Sequence, residues 1–239
     1  MEDIKEKETT TKKERNYAKR TAKDYHIFRT IFYYFILYFV VFPYIAWFYK
    51  LKIIGRKNLP KERKLLYVPN HVSEMDPPMV GWAIKRPIAF MAKKELFEDD
   101  KRSWLIKRLG AFAVNREKPE IATFKTSKEV LKTSWGLGIF PQGGTRKNKK
   151  IEDIHKGFVV FAKSMKADIV PISVCGLEEY SKKFRGKEVK IVIGKPISYK
   201  LDENEIIQKW CAEICENTGY ENCMIQQNDT NLDILNQEQ

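Results

Sequence analysis

The feature that most constrains this chain is a stretch of 19 residues without a charged side chain, Ile31–Tyr49, of which 11 are aromatic. The stretch is too long for a buried strand and just long enough to cross a bilayer as a helix. No small-residue cleavage site follows it, so a removed signal peptide is not indicated. The mean hydropathy of the whole chain, −0.47, excludes a protein that crosses a membrane many times.

Basic residues bracket the apolar stretch. Residues 12–29 carry a net charge of +5 and residues 50–64 carry +6, which together account for +11 of the total +13. A single span would place one basic flank on the disfavoured side of the membrane. Pro43 predicts a break where the chain can bend. We therefore expect a segment that enters one leaflet and returns, or that lies along the interface, with one transmembrane helix as the alternative.

The 44 Lys and Arg against 31 Asp and Glu predict an anionic partner. The charge does not interleave with the motif residues of a nucleic-acid-binding module, so an anionic membrane surface is favoured over nucleic acid. The four cysteines have no secretory signal ahead of them and are typical of reduced intracellular thiols. No metal site is predicted, because Cys211 and Cys215 lack a nearby His to complete a ligand set.

Apolar runs that indicate strands alternate with helix-like stretches along the rest of the chain. The strand-like runs are Leu65–Val68, Ile88–Met91, Ala111–Val114, Gly138–Phe140, Ile169–Val174 and Val189–Ile193, and the helix-like stretches are Pro119–Lys132, Phe158–Met165 and Asn204–Cys215. This alternation predicts a single α/β domain with a mixed, largely parallel sheet flanked by helices.

Three parts of the chain follow from these patterns. Residues 1–50 form a basic segment with a membrane-embedded helical motif, and residues 51–216 form the α/β domain. Residues 217–239 form a polar tail of 23 residues with nine Asn or Gln and no Lys or Arg, which we expect to be mobile.

Residues with catalytic chemistry follow the strand Leu65–Val68. Asp76 precedes two prolines and is expected to cap a helix that starts at Pro77. A turn before this helix would let Asp76 reach back to His71. A carboxylate on one imidazole nitrogen fixes the tautomer and leaves the other nitrogen free as a general base. The alternative is that Asp76 only caps the helix and His71 is a polar loop residue.

Three further strand ends carry groups suited to anions. After one strand, Gln142, Gly143, Gly144, Thr145 and Arg146 form a loop that resembles a phosphate or oxyanion cradle. Lys93 and Arg116 follow two other strands and could each hold a phosphate. Each signal alone is weak, because a surface turn or a solvated charge would look the same.

Taken in order, these blocks resemble the glycerolipid acyltransferase family. The resemblance rests on Asn70-His71-x4-Asp76, on Lys93 with Glu95 and Leu96, on Asn115-Arg116, on the block Phe140–Arg146 and on Ile169-Val170-Pro171-Ile172, and it covers about residues 55–200. The block Phe140–Arg146 departs from the family's Phe-Pro-Glu-Gly-Thr-Arg, since it has Gln142 for Glu and one additional Gly. The family associates that Glu and the following Arg with the acceptor phosphate, so the departure bears on the acceptor.

The resemblance implies direct acyl transfer in a ternary complex, with no cofactor and no metal. His71, oriented by Asp76, would deprotonate the hydroxyl of 1-acyl-glycerol-3-phosphate, which attacks a thioester of acyl carrier protein or coenzyme A to give phosphatidic acid. Lys93, Arg116 and Arg146 would hold the phosphate, and backbone N–H groups near Gly143 and Gly144 would hold the oxyanion. Glycerol-3-phosphate or another lysophospholipid as acceptor, and a non-catalytic membrane-surface protein, remain alternatives. The expected location is the cell membrane, peripheral or monotopic, with the catalytic domain on the cytoplasmic side.

Overall fold

The computed structural model describes residues 18–61, 64–114, 121–180 and 182–222. Its helices are α1 (Ile27–Ile36), α2 (Phe42–Phe48), α3 (Asp76–Ile84), α4 (Asp100–Arg108), α5 (Ile121–Val130), α6 (Gly157–Met165) and α7 (Glu203–Thr218). Its strands are β1 (Tyr49–Ile54), β2 (Leu65–Pro69), β3 (Ile88–Lys93), β4 (Phe112–Val114), β5 (Gly136–Gly138), β6 (Lys150–Ile151), β7 (Asp168–Cys175), β8 (Lys187–Ile193) and β9 (Glu221–Asn222).

Seven strands form the main sheet in the order β1-β8-β7-β2-β5-β3-β4. All neighbours in it are parallel except β7 and β8, so the predicted mixed, largely parallel sheet flanked by helices is confirmed. Strand β2 is buried along its whole length, as expected for a central parallel strand covered on both faces. Its carboxyl end shares one edge of the sheet with those of β3, β4, β5 and β7, and this edge is where parallel sheets place their sites.

The apolar stretch forms one continuous helix, Ile27–Phe48. The expected break at Pro43 is therefore wrong. The segment Leu37–Val41 between α1 and α2 is a π-helix, in which the Phe42 N–H donates to the Leu37 carbonyl. This wider turn comes just before Pro43, whose ring would otherwise clash with the carbonyl four residues back. The helix therefore passes the proline without ending.

The helix lies along the domain. Tyr33, Leu37 and Ile45 are buried against it, and Phe42 stacks on Trp82 of α3 with ring centroids 4.4 Å apart. The opposite face is exposed and apolar, and it includes Ile27, Phe28, Ile31, Phe35, Phe39 and Trp47. With 22 residues and a mean hydropathy of 1.9, this helix is, within the described ranges, the one candidate long and apolar enough to cross a membrane.

Several element boundaries differ from the sequence-based expectation. β1 was not expected, and β5 ends at Gly138 where the predicted strand begins. The rings of Tyr67 and Phe90 occupy the space that a side chain at Gly136 or Gly138 would need. This strand therefore has glycines where an apolar run was expected. Helix α7 runs past the predicted boundary at residue 216, and β9 then pairs with β6. Residues 223–239 of the predicted tail lie outside the described residues.

Candidate active site

His71 and Asp76 form a hydrogen-bonded pair at the carboxyl end of β2. The distance from His71 Nδ1 to Asp76 Oδ2 is 2.7 Å. The Asp76 side chain is fully buried, whereas the His71 side chain is 15% exposed. Because Oδ2 accepts the Nδ1 proton, the tautomer is set and Nε2 remains available to a second molecule.

The Asp76 carboxylate is held by the turn before α3, not by the helix itself. Oδ2 also accepts from the backbone N–H groups of Val72 and Ser73, at 2.7 and 2.9 Å. The residue at the N-cap position is Met75, so the expected capping role of Asp76 is wrong. Burial raises the pKa of the Asp76 carboxyl, and the hydrogen bond from His71 acts in the opposite direction.

Gln142 and Arg146 hold the backbone of His71 from both sides. Gln142 is 1% exposed, and its Oε1 accepts from the His71 N–H at 2.8 Å. The Arg146 N–H donates to the His71 carbonyl at 2.7 Å. Gln142 was predicted as a substrate contact, which stays a prediction, and the structure shows its side chain bonded to the backbone of the candidate base. An amide oxygen is sufficient for that bond, which explains how Gln can stand where the family has Glu.

Two residues support the pair without having been singled out for a role. The ring of Phe140 stacks on the His71 imidazole, with centroids 4.0 Å apart. The buried Asn70 side chain exchanges two hydrogen bonds with the backbone of Val174, at 2.7 and 2.8 Å, and so ties the loop to β7. Both residues belong to blocks that carry the family resemblance, but nothing in the sequence indicated that either would contact the pair.

The rest of the glycine-containing loop is open. Gly143 has φ +66°, and its N–H donates to the Phe140 carbonyl within the turn, so it is not free for an oxyanion. The N–H of Gly144 has no acceptor within the described part of the chain. Thr145 is exposed. Of the two predicted oxyanion donors, only Gly144 presents an available group.

The predicted phosphate ligands differ in their surroundings. The Arg146 side chain is 36% exposed and lies 3.5 Å from Asp153. Lys93 ends β3 at the same edge of the sheet, is 55% exposed and pairs with Glu95 at 3.4 Å. Arg116 falls in the gap 115–120 and lies outside the described residues. The structure therefore brings His71, Asp76, Gln142 and Arg146 into contact and places Lys93 along the same edge.

A cavity of about 290 Å³ adjoins this edge, and its lining is largely apolar. Phe140, which stacks on His71, is part of the wall, together with Met91, Ile139, Phe158 and Phe161. Gly143 and His155 also line it. The His71–Asp76 pair thus lies next to a space suited to an apolar group.

Fold and site together define a class, namely α/β proteins with a buried carboxylate and a partly exposed histidine at the carboxyl edge of a mixed sheet. A family model described as "Acyltransferase" matches residues 50–175, which is more than half of the chain and contains both residues of the pair. The chain belongs to the acyltransferase family.

Similar proteins agree with this assignment. The chain is 32% identical over 148 residues to a 1-acyl-sn-glycerol-3-phosphate acyltransferase of Bacillus subtilis, which covers 62% of this chain and 73% of that one. A Streptococcus pneumoniae protein of the same name is 32% identical over 139 residues, 57% of this chain and 51% of its own length. The crystal structure of the 1-acyl-sn-glycerophosphate acyltransferase PlsC from Thermotoga maritima shares the fold, with a TM-score of 0.58, 20% identity and coverage of 82% and 97%.

Proposed function

We propose that this protein transfers an acyl chain from an acyl thioester to the free hydroxyl of 1-acyl-glycerol-3-phosphate and so forms phosphatidic acid. The observation that carries the proposal is the 2.7 Å contact between His71 Nδ1 and the buried Asp76 carboxylate. The names of the Bacillus and Streptococcus relatives supply the acceptor.

The pair acts as a general base. His71 Nε2 takes the proton of the acceptor hydroxyl while its oxygen attacks the thioester carbonyl. A C–O bond forms, the C–S bond breaks, and the proton passes from Nε2 to the departing thiolate. Asp76 stabilises the imidazolium between these steps, because its carboxylate faces the proton on Nδ1.

Two other parts of the edge hold the substrates. The Gly144 N–H serves the oxyanion that forms on the thioester carbonyl. Lys93, Arg116 and Arg146 serve the acceptor phosphate, for which Arg offers two parallel donors. The apolar cavity beside Phe140 takes part of the transferred chain, since it is the apolar space next to the base.

The long apolar helix places the reaction at a membrane. Its exposed face inserts among the acyl chains, and the basic flanks remain at the headgroups, so the helix lies in the interface. We infer that both flanks and the catalytic domain are on the cytoplasmic side, because the flanks carry similar net charges of +5 and +6. Protease protection in sealed right-side-out vesicles tests this, and cleavage of the domain from outside would contradict it.

The donor is a thioester of acyl carrier protein or coenzyme A. Both are polyanionic and arrive from the cytosol, where a protein of net charge +13 attracts them. A comparison of kcat/KM with matched acyl chains on the two carriers decides between them.

The first experiment is an acyl-transfer assay on the detergent-solubilised full chain, with 1-acyl-glycerol-3-phosphate, glycerol-3-phosphate and lysophosphatidylcholine as acceptors. Phosphatidic acid formation by the parent protein and its loss in His71→Ala support the proposal. His26→Ala is the matched control, because His26 is exposed at the start of the long helix, outside both the pair and the cavity beside Phe140. Turnover only with another acceptor would contradict 1-acyl-glycerol-3-phosphate as the substrate. Activity that survives in His71→Ala would contradict His71 as the general base.

A further inference from the structure

A second cavity of about 290 Å³ lies at the start of α1, away from the catalytic pair. It is lined by His26, Phe28, Arg29, Phe32 and Arg108, so the long helix and the end of α4 form it jointly. Arg108 immediately precedes the turn into β4 and is therefore at the amino ends of the parallel strands. His71 follows the carboxyl end of β2, so the two sites are on opposite edges of the sheet.

Among the described residues, the two arginines of this cavity contact rings and a backbone carbonyl and form no ion pair. The Arg108 guanidinium lies over the rings of Trp104 and Phe32, 4.9 and 5.8 Å from their centroids. Arg29 donates to the backbone carbonyl of Lys107. Neither arginine forms an ion pair with any carboxylate of the described residues.

A third arginine adds to the uncompensated charge. Two guanidinium nitrogens of Arg20 are buried and have no hydrogen-bond partner within the described ranges. Burial lowers the pKa of Arg29, and the charges of Arg20 and Arg108 lower it further, whereas Asp24 raises it. Three positive charges act on one another here, and within the described residues Asp24 is the carboxylate that offsets them at Arg29, so the region favours a bound anion.

Exposed apolar side chains surround the cations. Phe28 is 75% exposed, Ile27 is 65% exposed, and Trp104 of α4 is 53% exposed. Arginines among exposed aromatic and aliphatic groups match a bilayer interface, where rings enter the acyl boundary and guanidinium groups meet phosphates. The same exposed face continues along the helix through Ile31 and Phe35.

We propose that Arg29 and Arg108, supported by Arg20, form a binding site for the phosphate of an anionic phospholipid headgroup, separate from the acceptor site. Trp104 makes α4 a second membrane contact beside the long helix. The site rests on the proposed position of the protein at a membrane, and it does not depend on the catalytic mechanism.

Vesicle binding tests the site. Full-length protein is mixed with vesicles of phosphatidylcholine alone or with phosphatidylglycerol, and the partition coefficients are measured by flotation. We expect Arg29→Gln/Arg108→Gln to lower partitioning onto the anionic vesicles about tenfold or more, since each basic residue near such a surface contributes separately. Partitioning onto phosphatidylcholine alone should stay within about twofold. Lys163→Gln/Lys200→Gln removes the same charge from exposed positions elsewhere and is the matched control.

Two further experiments distinguish a specific lipid site from diffuse electrostatic attraction and from a site for free phosphate. Arg29→Lys/Arg108→Lys keeps the charge and loses the planar donor pairs, so a built site predicts weaker binding to anionic vesicles than in the parent protein. A short-chain phosphatidylglycerol below its micelle concentration should bind the parent protein and not the Gln pair.

The outcomes are distinct. An equal loss in the Gln pair and the control pair, or full binding by the Lys pair, would overturn the site. Displacement of the short-chain lipid by inorganic phosphate at equal concentration would instead indicate a free-anion site and overturn the lipid assignment. Acyl transfer in detergent should be unchanged in the Gln pair, so a failure of the catalytic proposal would not be confused with a failure of this one.

Discussion

At the scale of single residues, the Asp76 carboxylate combines its proposed role of orienting His71 with a cost in stability. Because burial raises its pKa, ionisation is less favourable in the folded chain than in the unfolded one. The free energy of unfolding therefore falls as the pH rises through that pKa. Asp76→Asn cannot ionise, and its amide oxygen can still accept from the Val72 and Ser73 N–H groups.

We therefore predict that Asp76→Asn has a higher Tm than the parent at neutral pH, and that the difference disappears at acid pH. The same variant should lose kcat on the order of 10²- to 10⁴-fold, because the imidazolium loses its counter-charge. Thermal unfolding across a pH series and steady-state kinetics check both parts. A variant with parental kcat would show that Asp76 has no catalytic role.

Substitutions at Gln142 can distinguish a residue that positions His71 from one that binds the substrate. Gln142→Ala leaves the part-buried His71 N–H without its acceptor, which costs about 1–3 kcal/mol in unfolding free energy. We predict a fall in kcat of about tenfold or more with the acceptor KM within about twofold, since the base moves and the substrate site does not. Gln142→Glu keeps the accepting oxygen and should remain within a few-fold of the parent. A raised KM with unchanged kcat would instead indicate that Gln142 binds substrate.

At the scale of elements, Gly81 lets the long helix pack closely on α3. A Cβ at Gly81 would collide with the hydroxyl of Tyr33, which is 6% exposed and packs against the Trp135 ring. We predict that Gly81→Ala lowers the unfolding free energy by about 1–3 kcal/mol. Gly157→Ala in α6 is the control, because nothing lies within 4 Å of that position, and Ala should be neutral or stabilising there. Equal urea midpoints for the two variants would show that the helix does not depend on this contact.

The elements that could be predicted are those whose signals are local. The His71–Asp76 contact spans five residues and follows from the Asp-Pro-Pro helix start. The bond from Gln142 to His71 spans 71 positions, and nothing near either residue indicates it. β1 was missed because Lys50 and Lys52, which alternate with apolar residues along this edge strand, were counted as a basic flank. The expected break at Pro43 failed because the preceding π-helix is a backbone adjustment without a sequence signal.

At the scale of the whole molecule, the packing of the long helix bears on how it meets a membrane. It touches α4 near its start, α3 at its middle and the loop before β8 at its end, where Trp47 accepts from the Arg185 N–H. A helix held along its length cannot cross the bilayer without carrying the domain into it, whereas its exposed face can enter one leaflet. The packing of the helix and the basic flanks therefore favour an interfacial position over a transmembrane span, and this position stays a prediction.

Phe39→Glu tests this arrangement. Phe39 is 70% exposed on the outer face, whereas Val160 of α6 is 47% exposed on the domain. Placing a carboxylate among acyl chains forfeits roughly 1.5–3 kcal/mol of apolar burial, so we predict at least about tenfold weaker partitioning onto phosphatidylcholine vesicles. Val160→Glu introduces the same charge away from the helix and should bind like the parent. Because both positions are at the surface, neither variant should change the Tm by more than a few degrees. Equal partitioning of the two variants would mean that the outer face of the helix is not in the membrane, and the proposed interfacial position of the helix would be wrong.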